Sequence, residues 1–318
     1  MKTVKLGYMS HDEGTQVRAL MWQPDVSTAK PRAIIQLVHG MAEHIERYIP
    51  FAEYLVAKGF VVCAADHVGH GKSLVSDEFL GHIPLKGGKD ILVEDVHSLR
   101  QVVAPRFSST VPYVIFGHSM GSFIVRAYIT RHGEGLAGAV ICGTGQQPRV
   151  VSVAGNVLCH ILAAIKGETY RSPFVDGLGA GGFGKQIDGA RTDLDWLSTD
   201  PAVVDAYIAD PACGQMFTVG GYAALTDLAR EVVSPSNARK VAKDLPLLFV
   251  SGSADPVGGN GKGVDAAVRE YRKAGVTDVS CILYDGMRHE ILNEPDHQRV
   301  FDDVAAWIDE KIADGFSA

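Results

Sequence analysis

Cysteine is scarce in this sequence, and the few present form no pattern. Five occur in 318 residues (Cys63, Cys142, Cys159, Cys213 and Cys281), an odd number with no C-x-x-C pair. That excludes a disulfide framework and points to a reducing, cytoplasmic compartment. Cys63, Cys142 and Cys281 fall in predicted strands, where a free thiol packs as a small apolar group. Long apolar runs are missing too. No apolar run reaches the ~20 residues of a bilayer-spanning helix, and the opening MKTVKLGYMSHDEG holds no signal-peptide core. Long basic runs are absent and the net charge is −7. Long-range electrostatics therefore favours neither nucleic acid nor anionic lipid as a partner. There is no H-E-x-x-H, so His39, His44, His67 and His70 do not read as a metal site. No internal repeat or low-complexity tract is found.

What is present is a large α/β pattern. Apolar content of 46% over this length supports a sizeable core. Two alternating runs, 4–10 and 16–22, flank the turn-rich HDEG and read as an edge hairpin. Six short, solidly apolar runs follow: 33–38, 60–65, 113–116, 137–142, 247–252 and 279–284. Such runs suit parallel strands covered on both faces. Amphipathic segments at 50–58, 91–107, 122–132, 263–274 and 295–312 alternate with them, as in a doubly wound sheet. The rhythm breaks between 146 and 231. This interval reads as an inserted helical lid, or cap, and leaves 1–145 and 232–318 as the core. Alternation resumes at Ser234, where Ser-Pro-Ser-Asn offers helix caps.

The stretch VIFGHSMGS (114–122) sets Ser119 between Gly117 and Gly121, with a strand before it and a helix after. A serine on so sharp a bend projects its oxygen above the sheet edge, and the glycines let neighbouring chain pass close. This is the G-x-S-x-G nucleophile elbow. A hydroxyl needs a base, and the base an orienting acid. The expected chain order is serine, acid, histidine, each just past a strand. Asp255 follows the run 247–250 and His289 follows 279–284. Asp285 is a rival acid, close to the histidine in sequence. The oxyanion donors expected are the amide of Met120, directly after the nucleophile, and that of Met41, in the turn after 33–38.

Three blocks then carry a resemblance: HGMAEHIERY (39–48), DHVGHGKS (66–73) and GHSMGS (117–122), with SADPVG (253–258) and MRHEILNE (287–294) behind them. The chain resembles the monoacylglycerol lipase and lysophospholipase branch of the α/β-hydrolase fold. The resemblance implies a mostly parallel eight-stranded sheet flanked by helices, with a helical lid. It also implies hydrolysis of a lipid-like ester without metal or organic cofactor. Ser119, Asp255 and His289 fall on the family's triad, and Met41 and Met120 on its oxyanion donors. Met41 and Ala42 stand where the family usually has smaller residues, and Ser122 where it has glycine. The larger Met41 narrows the acyl entrance.

Other signals point elsewhere and carry less. DHVGHGKS ends like a phosphate loop, but position 66 is Asp66 rather than glycine, so it reads as a turn beneath the active site. Two overlapping G-x-G-x-x-G matches in DGLGAGGFG (176–184) follow no buried strand and read as a hinge. The run 151–165 is apolar on nearly all sides and short for a bilayer span. It reads either as core packing or as a greasy entrance resting transiently on micelles or membrane. Two other functions stay in view. A serine aminopeptidase or amidase would need acidic residues for a substrate amine, and Asp205, Asp210 and Asp227 are the candidates. A non-catalytic binding protein would keep the fold alone.

Overall fold

The computed structural model describes residues 1–25 and 30–314. Eight strands form one sheet: β1 (Lys2–Met9), β2 (Gln16–Gln23), β3 (Ile34–Val38), β4 (Val61–Ala65), β5 (Tyr113–His118), β6 (Gly138–Cys142), β7 (Leu247–Gly252) and β8 (Val279–Tyr284). Their order is β1-β2-β4-β3-β5-β6-β7-β8. β1 and β2 pair antiparallel, β2 joins β4 antiparallel, and all other pairs are parallel. The expected hairpin thus closes one edge, where β1 alternates between exposed and half-buried positions. β3, β5, β6 and β7 are buried along their whole length, as near-continuous apolar runs predict.

Helices cover both faces. α1 (Ile49–Ala57) and α10 (His297–Asp314) pack Phe51, Leu55, Val300, Phe301 and Val304 against Ile35, Leu37, Val114, Phe116 and Val250. On the opposite face α2 (Gly88–Val103), α3 (Met120–Tyr128) and α9 (Lys262–Lys273) pack against Ile115, Ala139, Ile141 and Phe249. Alternate residues of one strand serve opposite faces, as strand geometry requires. Each fully buried Leu or Phe contributes about 1.5–3 kcal/mol relative to exposure.

Between β6 and β7 the chain carries α4 (Arg149–Lys166), α5 (Pro173–Leu178), a 3₁₀ turn at Ala180–Gln186, α6 (Pro201–Ala209), α7 (Val219–Val232) and α8 (Pro235–Ala238). The glycine-rich 176–184 spans the end of α5 and the start of this 3₁₀ turn. Thr218 caps α7 and Asp200 caps α6 through their side chains. Ser234 does not cap α8, a single turn; its Oγ bonds Ser236 Oγ instead. α4 runs for 18 residues, longer than the 15 of its apolar run and long and apolar enough to cross a membrane by length and composition. Here it lies along α7, burying Ser152, Cys159 and Ala163. Its outer row, Val150, Val153, Val157, Ile161 and Ile165, is exposed. Core packing thus accounts for one side of the helix only.

Candidate active site

Ser119 sits at the bend between β5 and α3 with φ 55° and ψ −120°, a left-handed backbone that costs strain in a non-glycine residue. The flanking glycines are sterically required. A Cβ on Gly117 would lie 2.3 Å from the Gly121 carbonyl oxygen, and one on Gly121 would lie 2.1 Å from that of Val38. Ser122, in place of the family's glycine, is buried and donates its Oγ hydrogen to the Ser119 carbonyl at 2.6 Å, bracing the bend from within.

The loops after β7 and β8 bring Asp255 and His289 together. His289 Nδ1–H donates to Asp255 Oδ2 at 3.0 Å, and both residues are buried. Asp255 is fixed in turn by the Val257 amide at 2.9 Å and Ser251 Oγ at 3.3 Å. The other ring nitrogen, His289 Nε2, is buried without a partner. No Ser119–His289 hydrogen bond is formed, although both residues wall the same cavity. Catalytic hydrogen bonds commonly tighten only when substrate is bound. Asp285 lies apart, accepting from Ser253 at 3.3 Å on the surface.

The turn after β3 leaves one amide free. Gly40 N–H donates to Glu43 Oε1 at 2.6 Å and Ala42 N–H points to His70 Nε2 at 3.4 Å. Met41 N–H, between them, has no protein acceptor, and neither has Met120 N–H at the start of α3. Both methionines wall the cavity. The DHVGHGKS segment lies beneath: buried Asp66 accepts from Ile45 N at 2.9 Å, Lys72 N at 3.0 Å and Arg18 Nη1 at 3.2 Å, holding the turn in place.

A buried charge network behind the site was not legible as such in the sequence. Glu43 Oε1 accepts from Gly40 N, from Tyr48 Oη at 2.8 Å and from His118 Nδ1 at 3.2 Å. Arg47 Nη1 reaches Glu43 Oε2 at 2.9 Å, and its guanidinium grips both oxygens of Glu290 at 2.6 Å. The network therefore ties the oxyanion turn, the residue before Ser119 and the residue after His289 into one unit. His118 Nε2 faces the His289 carbonyl at 3.3 Å. Oxygen acceptors thus face both ring nitrogens, an arrangement that favours the protonated ring. Burial alone would lower the His118 pKa, but the Glu43 hydrogen bond and charge raise it. Burial pushes the Glu43 carboxyl up, yet the hydrogen bond from His118 and the charges of His118 and Arg47 hold it well below the usual range. The spacing H-G-x-x-E-x-x-x-R-Y was the available signal. An acid and a base four apart beside the oxyanion turn could have been read as a buried pair.

The histidines near this turn serve the backbone. His39 Nδ1–H donates to the Gly40 carbonyl at 2.8 Å and Nε2 accepts from His67 N at 2.9 Å. Burial, then the neighbouring His67 and His70, push the His39 pKa well down; burial brings His67 to about 3. Among the described residues His44, Asp210 and Cys213 offer donor atoms within 4.8 Å of one another. His44 Nε2–H already donates to Asp210 Oδ2 at 2.9 Å there. That contact, with Tyr207 Oη (2.7 Å) and Gly214 N (3.0 Å) donating to the Ala42 carbonyl, pins segment 207–214 to the oxyanion turn.

A cavity of about 600 Å³ opens onto Ser119, walled by Met41, Phe123, Leu158, Val175, Tyr222 and Leu225 among others. The acids in the cavity wall are already engaged, Glu43 and Glu290 by Arg47 and Asp176 by the Tyr222 hydroxyl, and the three expected from the sequence lie elsewhere. Asp205 pairs with Arg191, Asp210 with His44 and Asp227 with Arg230, and none of the three walls this cavity.

Comparison with known proteins identifies the family of the chain. The family described as "Serine aminopeptidase, S33" matches residues 29–296. A monoacylglycerol lipase of Mycolicibacterium smegmatis is 33% identical, over 93% of each chain. The monoglyceride lipase of Homo sapiens is 25% identical over 97% of this chain and 91% of its own. Among solved structures, a highly thermostable carboxyl esterase from Bacillus coagulans, in complex with glycerol, superposes with a TM-score of 0.89 at 33% identity, covering 98% of this chain and 99% of that one. The chain belongs to this family of serine hydrolases, on the α/β-hydrolase fold and close to the monoacylglycerol lipases.

Proposed function

We propose that this protein is a carboxylester hydrolase acting on lipid-like monoesters of the monoacylglycerol or lysophospholipid kind. One observation carries the reading: a largely apolar cavity of about 600 Å³ is lined by Ser119 and by His289, whose ring is paired with buried Asp255 behind it. A volume of this order suits a single extended acyl chain with its head group.

In this reading Ser119 Oγ attacks the ester carbonyl carbon. His289 Nε2 takes the hydroxyl proton, and Asp255 orients the ring and stabilises its positive charge. The tetrahedral oxygen is held by the Met41 and Met120 amides, which have no other acceptor. His289 returns the proton to the leaving alcohol, and an acyl-enzyme on Ser119 remains. Water, deprotonated by the same nitrogen, then releases the fatty acid.

Segment 146–231 acts here as a cap over the core. Its inner surface walls the cavity, and the exposed apolar row of α4, together with exposed Phe174 and Leu178 of α5, rests on a lipid surface during substrate transfer. The five unpaired cysteines fit a cytoplasmic setting.

The family's aminopeptidase description gives the second reading a specific footing. The placement of Asp205, Asp210 and Asp227 outside the cavity weighs against it. A panel of p-nitrophenyl and glycerol esters set beside aminoacyl anilides separates the two. Turnover of esters alone is expected, and faster cleavage of anilides would reverse the assignment.

A further inference from the structure

Buried polar side chains find partners almost without exception, because stranding one is costly. Gln215 has none. Its amide nitrogen and amide oxygen are both shut off from solvent and both without a hydrogen-bond partner, yet the residue is part of the wall of the catalytic cavity. No other side chain among the described residues leaves both ends of an amide unsatisfied.

Its place in the fold is fixed. The preceding amide, Gly214 N–H, donates to the Ala42 carbonyl at 3.0 Å, next to the oxyanion turn. Gly81 supplies room for the side chain, since a Cβ there would come within 3.1 Å of Gln215 Cγ. The lining also holds Trp196, whose ring lies 5.0 Å from that of His289 and whose Nε1–H is likewise unpartnered. Unsatisfied polar groups thus stand in a lining that is otherwise largely apolar, with Leu158, Cys159, Val175 and Leu225 among it.

An apolar residue of similar shape at position 215 would leave nothing unsatisfied. An amide with two donors and an acceptor answers a hydroxyl group, which both accepts and donates. We propose that Gln215 recognises a free hydroxyl on the alcohol portion of the substrate, so that the enzyme selects esters of a polyol over esters of simple alcohols. This inference rests on the ester-hydrolase reading.

The test compares the glycerol monoester and the methyl ester of one medium-length fatty acid, using the full chain and its Gln215→Leu variant. The quantity read is the ratio of kcat/KM for the two esters, with melting temperature measured alongside. Gln215→Leu should lower the preference for the glycerol ester by about tenfold, the worth of one neutral hydrogen bond, without lowering the melting temperature. An unchanged ratio, whether both rates fall together or neither moves, overturns the inference. Should the leucine variant fail to fold, Gln215→Met repeats the test with an unbranched side chain. Wild-type enzyme that cleaves neither ester refutes the ester-hydrolase reading instead.

Discussion

Arg47→Met offers the sharpest probe of the buried network. Arg47 touches three carboxylate oxygens, and Glu43 and Glu290 are each only 3% exposed at the side chain. Methionine keeps the apolar stem and deletes the charge, stranding two carboxylates in a poorly solvated site. Removing one partner of a buried ion pair costs about 3–5 kcal/mol. For a chain of this size that is a fall of about 4–7 °C in melting temperature. The pH dependence has a definite sign. Glu43 is held well below its ordinary value in the folded protein, so its stabilisation is complete above the unfolded glutamate value of about 4.3 and is lost as pH falls through the folded value. Without Arg47 the folded Glu43 binds its proton at higher pH. The gap between variant and wild type is therefore widest at about pH 7 and narrows toward about pH 4.5. Activity falls as well, because Glu43 also holds the Gly40 amide and His118; a displacement of 1 Å at the oxyanion turn costs about 10²-fold in rate. Adding Glu290→Gln to Arg47→Met recovers part of the loss by removing one stranded charge. Thermal melts followed by circular dichroism across this pH range are the assay. A variant within about 1 kcal/mol of wild type at every pH would refute the reasoning.

Two further predictions concern the cavity and its cover. Leu158→Trp, in the apolar wall, should shift preference toward shorter acyl chains and lower kcat/KM on long-chain esters by about tenfold or more, while short-chain turnover survives; a chain-length panel reads this directly. Val157→Asp with Ile161→Asp on the exposed side of α4 should leave hydrolysis of a soluble short ester unaltered and weaken activity on lipid vesicles, measured as rate against vesicle concentration.

The core of this fold was readable because its signals are local. Runs such as LLFVSG are apolar throughout only when both faces are covered, and β7 occupies that run. The elbow was readable because Gly117 and Gly121 answer contacts that no side chain permits. Asp255 and His289 were expected together from chain order, and the two side chains meet at 3.0 Å. Elsewhere the information is not local. Glu43, Arg47 and Glu290 look like surface charges in sequence, since only tertiary packing decides that an ion pair is buried. The free amide of Met41 emerged only once its neighbours' partners were known. The two sides of α4 differ because α7 covers one of them, and an all-round apolar helix carries no mark of which side that is. Ser234 resembled a cap, but one turn of helix left it bonding to Ser236 instead.

The account depends above all on the hydroxyl of Ser119 being the nucleophile. The direct measurement is mass spectrometry of the intact protein after exposure to a fluorophosphonate, for wild type and for folded Ser119→Ala. One adduct on the wild type, mapped to Ser119, and none on the variant is the predicted result. An adduct of equal yield on Ser119→Ala, or a folded, ester-cleaving wild type that takes up no label, would contradict it.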